Sequence, residues 1–176
     1  MPIMDLPTIP LQDSLTVEGE HVVKMRLEPA KASPAAYHAM LGLERFVSKS
    51  SKLEASLLEL VKMRTSQING CAFCIDKHSK DARVNSETEQ RLYALSAWRE
   101  TGFFTNRERA ALAWTEALTL ITEGHASDEV YAEVRKEFGE EELVNLSLAI
   151  ITINGWNRLT IGFRKIPGEY QAHKIG

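Results

Sequence analysis

The sequence predicts an all-α fold. Three observations point to it: apolar residues recur at helical spacing, helix-start signals stand before them, and no alternating strand run or hairpin turn occurs. Residues 1 to 32 hold Pro2, Pro7, Pro10 and Pro29 without a helical period and read as an irregular arm that packs on a neighbour. Ser33-Pro34 then places a cap residue before a proline suited to the first helical position. Ser51 with Glu54, Ser86 with Glu89, and Thr105 with Glu108 match the capping box, each ahead of an apolar pattern. LEASLLELVKMRTSQ reads as a helix that breaks at Asn69-Gly70, a dipeptide suited to a left-handed cap, and a new helix restarts with Cys71 in its first turn. In NRERAALAWTEALTLI, Ala110, Ala113, Trp114, Ala117, Leu118 and Ile121 share one face. Ser127 opens a further helix that stops near Gly139, and a long last helix fails around Pro167-Gly168. Six to seven helices make one domain over residues 33–168, with an arm at 1–32 and a tail at 169–176.

A chain of 176 residues with 44% hydrophobic content buries a sizeable core without a staple. Its 21 basic and 24 acidic residues are interspersed and show no basic stripe, so nucleic acid is not an expected partner. MPIMDLPTIPLQDS has neither a basic n-region nor a sustained apolar core, so it does not read as a signal peptide. LVNLSLAIITINGWNRLTIGF carries Asn145, Asn154, Asn157 and Arg158 and reads as a buried helix, not a membrane span. The expected compartment is a reducing cytoplasm.

Both cysteines fall in NGCAFCIDKHSKDAR. A C-x-x-C fits a structural disulfide, a zinc site, inert buried thiols or a redox catalyst. So short a loop constrains the unfolded chain least, and in a reducing compartment a close pair is more often catalytic or metal-binding. Cys71 and Cys74 stand at i, i+3, and Cys74 and His78 at i, i+4, so all three share one helical face. A thiol at a helix N-terminus has a lowered pKa. If the helices on either side of Asn69-Gly70 run antiparallel, Glu59 lies level with His78 and orients it, and His78 exchanges a proton with Cys74. Alternatively, Glu59 and His78 complete a four-ligand zinc site with the cysteines. His21, His38, His125 and His173 have no partner pattern; Trp98, Trp114 and Trp156 read as packing; Asn157 and Arg158 read as structural hydrogen bonds or subunit contacts.

Glu59, Cys71, Cys74 and His78 form E-x(11)-C-x-x-C-x-x-x-H. With RTSQINGCAFCIDKH, RERAALAWTEALT and INGWNRLTIGFRKIPG, the pattern resembles the AhpD-like alkylhydroperoxidases of the carboxymuconolactone decarboxylase superfamily over residues 35 to 168. The resemblance implies an all-helical thiol peroxidase that reduces organic hydroperoxides. It makes Cys74 the peroxidatic thiol, Cys71 the resolving thiol, His78 the base and Glu59 its orienter. It also implies no cofactor, a lipoyl or thioredoxin-like dithiol reductant, and assembly as a trimer or hexamer. One position departs from the family pattern: the best-studied members carry a histidine before the second cysteine, and this chain has Phe73. The decarboxylases of the superfamily lack the cysteine pair, which disfavours lactone decarboxylation. A general disulfide oxidoreductase or redox sensor, and a non-catalytic zinc-stabilised scaffold, are the competing readings.

Overall fold

The computed structural model describes residues 23–172, so Pro2, Pro7, Pro10, His21 and His173 lie outside the described residues. Among the described residues there is no strand. The helices are α1 (Pro29–Ala32), α2 (Pro34–Lys49), α3 (Ala55–Asn69), α4 (Ala72–Val84), α5 (Glu89–Ala94), a 3-10 segment (Leu95–Glu100), α6 (Asn106–Thr119), α7 (Ile121–Gly124), α8 (Asp128–Glu137) and α9 (Glu140–Phe163). No described helix is long and apolar enough to cross a membrane.

Helix α3 is the centre of the arrangement, in contact with α4, α6 and α9. Its apolar residues divide between two cores. Leu57, Leu58 and Val61 join Ala111, Trp114, Leu146 and Ile150 on one side. Leu60 and Met63 join Ala82, Leu92, Leu95, Trp98 and Leu112 on the other. A helix that feeds two cores has no solvated face, so Glu59, Lys62, Thr65 and Ser66 are buried with the rest.

The three expected capping boxes fare differently. Thr105 and Glu108 form one: Thr105 Oγ1 accepts the Glu108 N–H at 3.2 Å, and Glu108 Oε2 accepts the Thr105 N–H at 2.8 Å. Ser51 instead ends α2, its hydroxyl donating to the Val47 carbonyl at 2.6 Å, and α3 starts later, with Glu54 at the cap. Ser86 sits in a left-handed turn at φ 73° after α4, and Thr88 caps α5 in its place. Both serines are captured by the helix that precedes them.

The segment before α2 is not wholly irregular: Pro29 starts a single helical turn, α1. The strand-like stretch before it lies on the end of α9, where the Arg26 N–H donates to the Phe163 carbonyl at 2.9 Å and Arg26 Nη1 to the Gly162 carbonyl at 3.1 Å. At the other end, Tyr170 returns to α4 and donates its phenol proton to Asp81 Oδ1 at 2.7 Å.

Asn69-Gly70 closes α3 as expected. Gly70 has φ 66°, its N–H donates to the Gln67 carbonyl at 3.2 Å, and the Cys71 N–H donates to the Ser66 carbonyl at 3.0 Å. These are the paired bonds of a Schellman motif, and they reverse the chain into α4. A Cβ at Gly70 would meet nothing within 4 Å, so a substitution there is opposed by backbone strain alone. Gly70→Ala is expected to lower stability by about 1 kcal/mol, and Gly70→Asn by less. The check is a shifted denaturant midpoint at unchanged slope.

Candidate active site

The reversal at Gly70 sets both halves of the site. Cys71 takes the N-cap position of α4, one residue earlier than the sequence suggests, and its Sγ accepts the Cys74 N–H at 3.4 Å. Cys74 lies within the first turn, and the two sulfurs are 2.6 Å apart. Both side chains are buried, at 1% and 3% exposure. Two turns beyond the cap, His78 meets Glu59 across the antiparallel pair, with Nδ1 2.8 Å from Oε2.

Burial by itself would raise the Glu59 carboxyl. The hydrogen bond from His78, with the charges of His78 and Lys62, outweighs it and holds the group at about 2. Glu59 is therefore ionised near neutrality, and an ionised carboxylate only accepts, so Nδ1 carries the proton. That leaves Nε2 as the nitrogen free for acid–base work, and it has no hydrogen-bond partner among the described residues. The other carboxylate oxygen faces Lys62 Nζ at 3.4 Å, and the same ammonium donates to Glu44 Oε1 at 2.8 Å. Glu44 in turn accepts from Trp156 Nε1 at 3.2 Å.

The expected chain from carboxylate to imidazole to thiol to thiol is present at its two ends and open in the middle. No hydrogen bond joins His78 to Cys74 among the described residues. Both instead line one cavity of about 310 Å³, whose walls are Tyr37 and Leu41 from α2, Phe73 from α4 and Trp156, Leu159 and Phe163 from α9. Cys71 is not part of its lining.

Two residues that the sequence reading gave no role at the thiols stand beside them. Thr160 Oγ1 lies 3.0 Å from Cys71 Sγ and 3.3 Å from Cys74 Sγ. Asn157 accepts from Asn69 Nδ2 at 2.8 Å and donates to Ser66 Oγ at 3.2 Å, tying α9 to the reversal. The available signal was Asn154, Asn157 and Thr160 at i, i+3, i+6, a polar stripe on an apolar helix. Trp156, read as packing, is a wall of the cavity. Phe73 occupies the wall as well, with Lys165 Nζ 5.1 Å from its ring centre.

The thiols are unequal. The hydrogen bond from Cys74 pulls Cys71 down to about 6, against the effect of burial, with help from Thr160 and from the backbone N–H groups of Cys74 and Phe73. Donating that bond, together with burial, pushes Cys74 well above the ordinary thiol range. The reduced pair thus holds one charge and one proton between two sulfurs, and the charge rests on the capped Cys71.

The four-ligand zinc reading loses its geometry. Among the described residues, the potential ligand atoms that lie within 4.8 Å of one another in a group of three are those of Glu59, His78 and Asp81, with neither cysteine among them. Glu59 also faces the Lys62 ammonium, which disfavours a cation at that carboxylate.

Residues 34–117 match the Carboxymuconolactone decarboxylase family. The uncharacterized protein YdfG of Bacillus subtilis is 43% identical over 139 residues, spanning 79% of this chain and 94% of the relative. A crystal structure from Agrobacterium tumefaciens, of a protein of unknown function described as a candidate antioxidant-defence protein AhpD, is 44% identical and superposes with a TM-score of 0.80. That match covers 84% of this chain and 100% of the other. An uncharacterized peroxidase-related protein with an AhpD core from Ralstonia eutropha shares the fold, with a TM-score of 0.70 at 15% identity over 80% of this chain and 74% of the other.

Two measurements follow from the electrostatics. In reduced protein the alkylation rate with iodoacetamide is expected to rise through pH about 6 and level off above it, since the thiolate is the reacting form. A rise centred on the ordinary thiol value of about 8.5 would contradict the arrangement. Glu59 binds its proton more weakly folded than unfolded, so its contribution to stability is present above pH about 4.3 and is lost as pH falls toward about 2. Glu59→Gln should flatten the acid limb of a stability–pH curve in that window.

Proposed function

The chain belongs to the carboxymuconolactone decarboxylase family, as an AhpD-like member, and on that premise we propose that it is a thiol peroxidase that reduces organic hydroperoxides through Cys74 and Cys71. The observation that carries this reading is the pair of adjacent, unequal sulfurs, one of which lines an apolar cavity together with an oriented imidazole.

Cys74 is the sulfur that faces the cavity, so it meets the peroxide. Moving its proton to Cys71 across 2.6 Å places the charge on Cys74. The Cys74 thiolate attacks the distal peroxide oxygen, the O–O bond breaks, and the sulfur becomes a sulfenic acid. Nε2 of His78, held by Glu59, first takes up a solvent proton and then gives it to the leaving alkoxide, which departs as the alcohol. Cys71 gives up its proton and attacks the Cys74 sulfur, an S–S bond forms, the S–O bond breaks, and the departing hydroxide takes that proton and leaves as water. A dithiol reductant then returns the pair to two thiols, becoming a disulfide itself. Because Cys71 is the more acidic thiol, the resolving step starts from the group already favoured as an anion.

The cavity walls suit an apolar organic group, and the 1% and 3% exposure of the thiols favours a small hydroperoxide over a disulfide on a protein surface. The same recess suits a reductant that presents its dithiol on an extended arm, of the lipoyl kind, more than a broad thioredoxin-like face. We further propose assembly as a trimer or hexamer, to which exposed Val144, Ile151 and Ile161 on α9 lend support.

The test is intact-mass and peptide mass spectrometry on reduced protein given one equivalent of cumene hydroperoxide. The expected product has lost two hydrogens, mapped to a Cys71–Cys74 link; unchanged thiols would sink the proposal. Cys74→Ser is expected to abolish turnover, and Cys71→Ser to stop at a sulfenic acid that dimedone traps.

A further inference from the structure

The Thr160 hydroxyl has more neighbours than protons. Oγ1 lies 2.9 Å from the Trp156 carbonyl, 3.1 Å from the Asn157 carbonyl, and 3.0 and 3.3 Å from the sulfurs of Cys71 and Cys74. A hydroxyl donates once and accepts through two lone pairs, and a carbonyl oxygen only accepts. The direction of each sulfur contact therefore depends on the charge of the sulfur. A neutral thiol can donate to Oγ1 while the hydroxyl proton points back to the Trp156 carbonyl. A thiolate has nothing to donate, and the contact then holds only if the hydroxyl turns and donates to it. The Trp156 carbonyl loses little by this, because the helical backbone of α9 still offers it an N–H.

Among the described residues, Thr160 is the side chain that reaches both sulfurs. The charged groups on the packed elements do not: Glu44 on α2, Glu59 and Lys62 on α3, Lys77 and His78 on α4, and Lys165 after α9 make no hydrogen bond to either thiol. The backbone N–H of Cys74 serves Cys71 alone. Thr160 also lines the cavity beside Cys74.

We propose that Thr160 is the positioning residue of the thiol pair, a rotating donor that turns from its own helix toward whichever sulfur is charged and so lets the charge pass from Cys71 to Cys74. The inference rests on the reading of the pair as a redox dithiol and goes beyond it by naming the group that accommodates both of its protonation states. Thr160 favours the charged form of both cysteines, in keeping with that role. It transfers no atom to substrate; it orients one proton.

The experiment compares Thr160→Val, which keeps the shape and removes the hydroxyl, with Thr160→Ser, which keeps the hydroxyl. The readout is thiolate absorbance at 240 nm against pH in fully reduced protein, followed by the rate of disulfide formation with cumene hydroperoxide. Thr160→Val is expected to raise the first thiol midpoint by about one to two pH units, the worth of one hydrogen bond to a charged group. It should also slow disulfide formation by at least about tenfold, while Thr160→Ser stays close to the parent in both. An unmoved midpoint in Thr160→Val, or a Thr160→Ser variant that behaves like Thr160→Val, overturns the assignment. If Thr160→Val does not fold, Thr160→Ala takes its place with the same two outcomes. The titration needs no peroxide, so a parent protein that forms no disulfide would defeat the peroxidase reading while the titration still decides Thr160.

Discussion

Glu59 and Lys62 are charges on a helix with no outward face, and the form of the site follows from how they are neutralised. Each is under 10% exposed. Removing one partner of such a buried pair leaves an uncompensated charge, typically at a cost of about 3–5 kcal/mol. Lys62 is therefore held between Glu59 and Glu44, which docks α2 against α3. Glu59 spends its second oxygen on His78, which docks α4 against the opposite side. The imidazole is thereby turned so that one nitrogen is occupied and the other is not. A requirement of burial thus sets the orientation of a ring.

The sulfur end of the cavity is organised differently. Among the described residues no charged side chain of another element hydrogen-bonds either sulfur; dipoles act there, from the N–H of Cys74 at the start of α4 and the hydroxyl of Thr160 on α9. Dipoles can favour an anion without fixing which of two adjacent atoms carries it. An ammonium at that place would hold the charge on one sulfur. The separation of the two devices, ions around His78 and dipoles around the thiols, holds the imidazole in one orientation and leaves the thiol pair free to change.

What could be read from the sequence was whatever depends on local counting. The registry of Glu59 with His78 follows from their distances to the Asn69-Gly70 reversal, and the Thr105–Glu108 box from a four-residue pattern. Ser51 and Ser86 match the same pattern, but the helix before each competes for the residue, and a start signal carries no information about that competition. The place of Cys71 was off by one position, enough to change it from a member of the turn to its cap. Thr160 and Trp156 were out of reach for another reason. Their roles depend on which turn of α9 lies over the α3–α4 reversal, and that is settled by packing across some 90 residues of chain. Only the polar stripe of Asn154, Asn157 and Thr160 hinted at it.

Arg26 grips the last carbonyls of α9, and Tyr170 returns to α4. The described segments before α2 and after α9 thus fasten the end of α9 and the side of α4, while the main cores lie elsewhere. Segments with few buried apolar contacts open before the cores do. The hydroxyl beside the thiols sits in a turn that belongs to neither of the two main cores. A molecule with intact cores and a loosened clasp would keep its helices and the contact between its two sulfurs but lose the Thr160 hydroxyl from both. A chain still emerging from the ribosome would hold its two sulfurs without that hydroxyl until the last turn of α9 had docked.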